Sequence, residues 1–208
     1  MSQNISINRE LIWPWFECFP GSSIVTIKSK NKPMNISISD LKINDMVLTS
    51  EAKYSKVMSF FHRVPNVEAK FIRLFYEETK FITLTPKHLI FSQNEYIPAQ
   101  DIKVGYGLKV FDHFTKKTID VKVIQKKEIT LKNSGIYAPL TESGTIIVDN
   151  VHASCYSVVK SHNLAQALFN IVNKLGAVLT FKSEVYESLS RMLYKTLGLL
   201  NLESLILN

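Results

Sequence analysis

The chain has 208 residues, 46% of them hydrophobic, which excludes wholesale disorder and allows one domain with an appendage. Its formal net charge of +7 lies in scattered lysine groups (KSKNK, TKK, QKKE) with no arginine-rich tract, so nucleic acid is not an expected partner. A solvated basic face is expected, with attraction to an anionic membrane surface next. Two cysteines exclude a disulfide framework, and no continuous apolar run reaches the ~18 residues of a spanning helix.

Residues 1–17 read as a short arm ending in the apolar group Ile12, Trp13, Trp15 and Phe16. It has no basic n-region followed by an apolar h-region, so no secretory signal is expected, and the compartment stays open. Cys18 follows at a junction, with Pro20-Gly21 as a turn behind it. From Ser23 to about Val159 the runs are short, β-branched and aromatic: SIVTIKS, NISI, MVLTS, KFIRLFYEE, KFITLT, HLIFS, LKVFD, IDVKVI and GTIIVDN. Turn residues punctuate them at Asn31 to Pro33, Asn44-Asp45, Pro65-Asn66, Asn133 to Gly135 and Ser143-Gly144. This spacing predicts an all-β body rather than βαβ units.

The body carries an internal echo. ISDLKINDMVL (38–48) matches AQDIKVGYGLKV (99–110), with Asp40 and Asp101 heading the copies 61 positions apart. Two β-subdomains related by a pseudo-two-fold would produce it; so would chance. From Ser161 the period turns helical: Leu164, Leu168, Ile171, Val172 and Leu175 form one stripe, and Val185, Leu189, Met192, Leu193 and Leu197 a second. Residues 161–208 are therefore expected to form a helical appendage that either covers the β-body or grips an external lipid.

Several side chains could react. Cys18 stands at the doorstep, Thr85 and His88 lie three apart in LTPKHL, Cys155 sits in ASCYSVV, and His62 in FFHR. Singly, each has a structural explanation: a packed core thiol for Cys155, a satisfied imidazole for His62. No paired Cys/His metal spacing and no glycine-rich phosphate loop occurs, so no metal or cofactor is expected.

Taken in order, CFPG, then DLKINDMVL, LTPKHL and APLTESGTIIVDNVHASCYSVV (138–159) closely resemble the autoprocessing domain of Hedgehog proteins, the Hedgehog–intein or Hint module. The resemblance covers roughly residues 17–165. It implies a Hint domain over 18–160 built from two related β-halves, with 161–208 in the place of that family's sterol-recognition region. It implies that Cys18 attacks the carbonyl of Glu17, converting the peptide bond to a thioester by an N-to-S acyl shift. His88 would protonate the leaving amide nitrogen, and Thr85 would hold the scissile amide. A sterol, cholesterol-like, would then take the acyl group as co-substrate and self-cleave the precursor, which is expected to act as a monomer on its own upstream polypeptide. Cys155 matches the family's second cysteine, near Cys18 and able to bridge to it. By precedent the compartment would be secretory.

The chain departs from the pattern twice. His62 stands where the family has an aspartate that activates the sterol hydroxyl, and Glu17 stands where the family has glycine. Hydrolysis of the thioester by water, or an idle lipid- or protein-binding module, are the alternatives. His162-Asn163 resembles the end of an intein, but Leu164 follows where splicing needs Cys, Ser or Thr.

Overall fold

A computed structural model of the chain describes residues 18–155, apart from 31, 51 and 52. The arm and the two apolar stripes beyond Ser161 lie outside the described residues. The described part is built of strands, with a single 3-10 turn at Ala99–Asp101 as its helical element. In chain order the strands are β1 (Ile24–Ile27), β2 (Met34–Ser37), β3 (Met46–Ser50), β4 (Lys53–Val64), β5 (Ala69–Phe75), β6 (Phe81–Leu84) and β7 (Leu89–Ser92). There follow β8 (Glu95–Pro98), β9 (Gly107–Asp112), β10 (Lys117–Lys122), β11 (Gln125–Leu131), β12 (Ile136–Thr141), β13 (Thr145–Val148) and β14 (Val151–Ser154). The all-β body expected from the runs is therefore present.

Eleven strands form a winding antiparallel sheet in the order β10-β9-β7-β14-β13-β1-β3-β4-β12, with β2 paired to β1 and β8 to β7. The order β11-β5-β6 makes a second, three-stranded sheet. Buried residues repeat at period two where one face is wet. In β4, Ser55, Val57 and Ser59 point inward between half-exposed neighbours. β12 differs, because all six of its residues are buried, which requires cover on both faces. The main core gathers Val25, Leu41, Val47, Ile90, Leu108 and Val151 from both ends of the chain.

The echo in sequence becomes a repeat of hydrogen bonds. Ser23 N–H donates to Pro20 O, Ile38 N–H to Ser23 O, and Ser39 N–H to Gly21 O. Each has a counterpart: His88 N–H to Thr85 O, Ala99 N–H to His88 O, and Gln100 N–H to Pro86 O. Leu41 N–H to Ile38 O and Asp45 N–H to Lys42 O are matched by Ile102 N–H to Ala99 O and Tyr106 N–H to Lys103 O. Asn44 N–H donates to Val57 O and Val57 N–H to Asp45 O, as Gly105 N–H does to Val123 O and Val123 N–H to Tyr106 O, all at 2.8 Å. Asn44 (φ 74°) and Gly105 (φ 92°) both adopt the left-handed conformation there. The two halves are thus related bond by bond, which settles the choice between symmetry and chance.

Candidate active site

Cys18 enters the fold between two partners. On one side its N–H, half of the amide that joins it to Glu17, donates to Thr85 Oγ1 at 2.7 Å. Thr85 returns the contact, its own N–H donating to Cys18 O at 2.9 Å. On the other side Phe19 and Tyr137 exchange backbone bonds of 2.8 and 2.9 Å, docking the incoming chain on β12. Gly21 allows the approach: a Cβ there would lie 2.7 Å from Ser134 O and 2.8 Å from the Tyr137 ring. The Cys18 side chain is fully buried in a small apolar cluster with Phe71, Ile136 and Ala138.

The turn Thr85-Pro86-Lys87-His88 brings the other two residues together. His88 N–H closes it on Thr85 O at 3.1 Å, with Pro86 at the position where a fixed φ favours such a turn. The imidazole is buried and packs against Phe19, ring centroids 4.2 Å apart and tilted by 52°. Its Nε2 lies 3.0 Å from Ser154 O. A carbonyl only accepts, so Nε2 carries a proton, and Nδ1 is the nitrogen through which the ring gains or loses one. The structure thus gathers Cys18, Thr85 and His88.

His62 sits on β4 directly opposite Ala138. Opposed residues on neighbouring strands project to one face, and Ala138 packs against Cys18. His62 therefore lies on the cysteine's face of the sheet, one strand beyond β12. That is two inter-strand spacings, roughly 10 Å in backbone terms. A bulge in β4 at this point, where pairing shifts between Ala138 and Pro139, re-aims the side chains.

Cys155 occupies different ground. It is buried in the main core, its Sγ 3.5 Å from Thr141 Oγ1. Burial pushes its thiol up to about 11, against the pull of the Thr141 contacts. It is a protonated core thiol at neutral pH. Neither cysteine is in a disulfide in this structure and the two belong to separate clusters, so the bridge implied by resemblance is not formed here. Glu17 and the pair His162-Asn163 lie outside the described residues. No cluster of three metal-binding side chains occurs among the described residues.

Sequence reasoning missed three contributors: β12, the Ser154 carbonyl and the Phe19 ring. Pro139 inside YAPLT conceals the strand, since proline is confined to edges and bulges of sheets, and β12 is both an edge and bulged. A carbonyl has no residue signature, so Ser154 left no trace.

A β-fold of two related halves, entered through a cysteine whose amide is held by the first residue of a Thr-x-x-His turn, is the arrangement of a Hedgehog–intein module. The chain belongs to the Hint family, whose model, the Hint module, matches residues 11–207. Among curated proteins it is 35% identical over 167 residues to Warthog protein 1 of Caenorhabditis elegans, covering 76% of this chain and 33% of that protein. It is 34% identical over 185 residues to Tiggy-winkle hedgehog protein of Danio rerio, covering 82% and 43%. The chain thus spans between a third and under half of these relatives. The DnaB intein from Synechocystis sp. PCC 6803 shares the fold, with a TM-score of 0.56 at 11% identity over 67% of this chain and 98% of that one. The gp41-1 intein does too, at 0.52 and 18%, with coverage of 67% and 98%.

Proposed function

We propose that this chain is a self-processing module that cuts the peptide bond between Glu17 and Cys18 by way of a thioester. The grip of Thr85 on both backbone groups of Cys18 supports this reading most directly. A structural threonine has no need of that particular amide. In the first step the proton of Cys18 Sγ passes to His88 Nδ1 and the sulfur attacks the Glu17 carbonyl carbon. The tetrahedral centre collapses, the C–N bond breaks and a C–S bond remains. The nitrogen leaves as the α-amine of Cys18, taking a proton from His88 Nδ1. The hydrogen bond from Cys18 N–H to Thr85 Oγ1 fixes the position of the scissile amide nitrogen for this proton transfer.

In the second step a hydroxyl attacks the thioester, its proton passes to a base, the C–S bond breaks and the Cys18 thiol is restored. His62 is the base on this reading, an imidazole in place of a carboxylate. The acceptor is a sterol-class alcohol delivered by residues 161–208. The same His62 also favours a second reading, in which water is the acceptor and the product is a free acid. Glu17, bulkier than glycine at the attacked carbonyl, slows the first step rather than preventing it.

A reporter fused upstream tests this. Dithiothreitol or hydroxylamine should release it from the wild type and not from Cys18→Ala. A precursor that stays whole under both nucleophiles overturns the proposal and leaves an idle binding module. Intact mass of the fragment released without added thiol, in the presence of sterol, separates the two acceptors: a sterol adduct excludes hydrolysis.

A further inference from the structure

Lysines recur along one exposed stretch of the chain. Residues 103–127, which include the β9–β10 hairpin, hold seven lysines against two aspartates. Both aspartates are engaged. Asp120 pairs with Lys109 at 2.7 Å. Asp112 folds the hairpin tip, accepting from Phe114 N–H and Thr115 Oγ at 2.8 Å each. Lys126 is spent on the carbonyls of Gln100 and Ile102, and Lys127 lies over the Phe75 ring. That leaves Lys103, Lys116, Lys117 and Lys122 exposed, with no ion pair among the described residues.

Apolar side chains stand out to solvent along the same stretch. Phe114 at the tip is 94% exposed, Val104 62% and Ile124 51%, with Ile119 exposed midway on β10. The tip is held in place: besides the Asp112 bonds, His113 Nε2 meets Asn150 Oδ1 at 2.7 Å and its ring packs edge-on against Phe111. The phenylalanine is therefore presented by a braced turn, and its exposure is not a by-product of a loose loop. β10 is also the edge strand of the large sheet, so the hairpin has a side not covered by another described strand.

We propose that the β9–β10 hairpin docks this module on an anionic lipid surface. Exposed lysines interleaved with protruding apolar residues match both layers of such a surface, the charged headgroups and the acyl boundary beneath them. Charge complementarity alone would suit nucleic acid as well, but Val104, Ile119 and Ile124 gain nothing against a phosphate backbone. At the hairpin base a cleft of about 350 Å³ lies between Asn94, Gly107, Lys122 and the Lys109–Asp120 pair, with Lys122 as its unpaired ammonium. This surface shares no residue with the cluster around Cys18.

Flotation of the full chain with vesicles tests the proposal, using the Cys18→Ala variant so that no thioester chemistry contributes. Failure here is then distinct from failure of the processing reaction. Vesicles of phosphatidylcholine with about a third phosphatidylserine should bind the protein at least tenfold more tightly than phosphatidylcholine alone, falling with added salt. Lys116→Glu with Lys117→Glu should weaken that binding at least tenfold. Phe114→Ser should weaken it several-fold, and low salt should not restore the loss. Each substitution lies on the exposed tip, and circular dichroism checks that the fold persists. Equal binding to both vesicle types, or unchanged binding by both variants, overturns the proposal. So does stronger binding to a single-stranded oligonucleotide than to the anionic vesicles.

Discussion

Thr85 makes two bonds to the same residue, and each answers a different need. Its N–H fixes the Cys18 carbonyl as any extended chain could, but its Oγ1 accepts from the amide N–H that joins Cys18 to Glu17, the bond proposed to be cut. Thr85→Ala should therefore lower the rate of thiol-induced release by about a hundredfold, whereas Thr85→Ser should keep most of it. Rates of reporter release at fixed dithiothreitol measure both. Cys155 gives a prediction of another kind. Its folded pKa is raised from 9.0 to about 11, so its contribution to stability is complete below pH 9 and is lost as pH rises through 11. The stability difference between wild type and Cys155→Ala should accordingly shrink over that interval, read from urea midpoints. Cys18, Thr85 and His88 were singled out in the sequence by the motifs CFPG and LTPKHL, whose order resembles the Hint pattern, since each residue alone has a structural explanation. The orientation of the imidazole was not legible, because it depends on the Ser154 carbonyl and the Phe19 ring.

At the scale of elements, β12 joins the incoming cysteine to His62, and a glycine lets the chain reach it. Gly21→Ala would set a methyl 2.7 Å from Ser134 O, a backbone atom that cannot swing away. The leading segment should lift from β12, and release should slow at least tenfold while most of the core stays folded. The β13–β14 hairpin offers an independent test. Its two turn residues, Asp149 (φ 49°) and Asn150 (φ 67°), form the primed type that suits strand twist. The Asp149 carboxylate also accepts from Ser23 Oγ and Ile24 N–H, both at 2.8 Å, tying this turn to β1. Burial raises its pKa despite those bonds, so its contribution is fullest at low pH and declines as pH rises through the carboxylate range. Asp149→Ala should cost about 2–3 kcal/mol by stranding two donors. Asp149→Asn keeps an acceptor and the left-handed turn. Its stability relative to wild type should increase from pH 3 to pH 7, measured by thermal melts. Of these elements GTIIVDN announced its strand through its β-branched run, whereas β12 was hidden by its own proline.

The molecule as a whole is two halves that share a backbone scheme and little sequence. Where the halves correspond they still differ in what they tolerate. Gly105 and Asn44 hold equivalent left-handed positions, and nothing lies within 4 Å of a Cβ at Gly105. Gly105→Val should thus cost about 1–2 kcal/mol from conformation alone, while Asn44→Gly should stay within a few tenths. Chemical denaturation of both variants would test that the correspondence is physical. The pseudo-two-fold was visible in sequence only where Asp, an apolar residue and Lys recur at a turn. Elsewhere the halves need only matching burial, which many residue choices satisfy.

The bond-for-bond repeat also has a history written into it. Two superposable halves in one chain are what tandem duplication of a gene for a half-length, self-pairing ancestor would leave. In such a dimer every position occurs twice, so a reactive group could not be confined to one side. Fusion removed that restriction: Ser23 now stands in one half where His88 stands in the other, and Pro20 where Thr85 stands. The asymmetry that places Cys18 in one half and His88 in the other became available once the two copies could mutate separately.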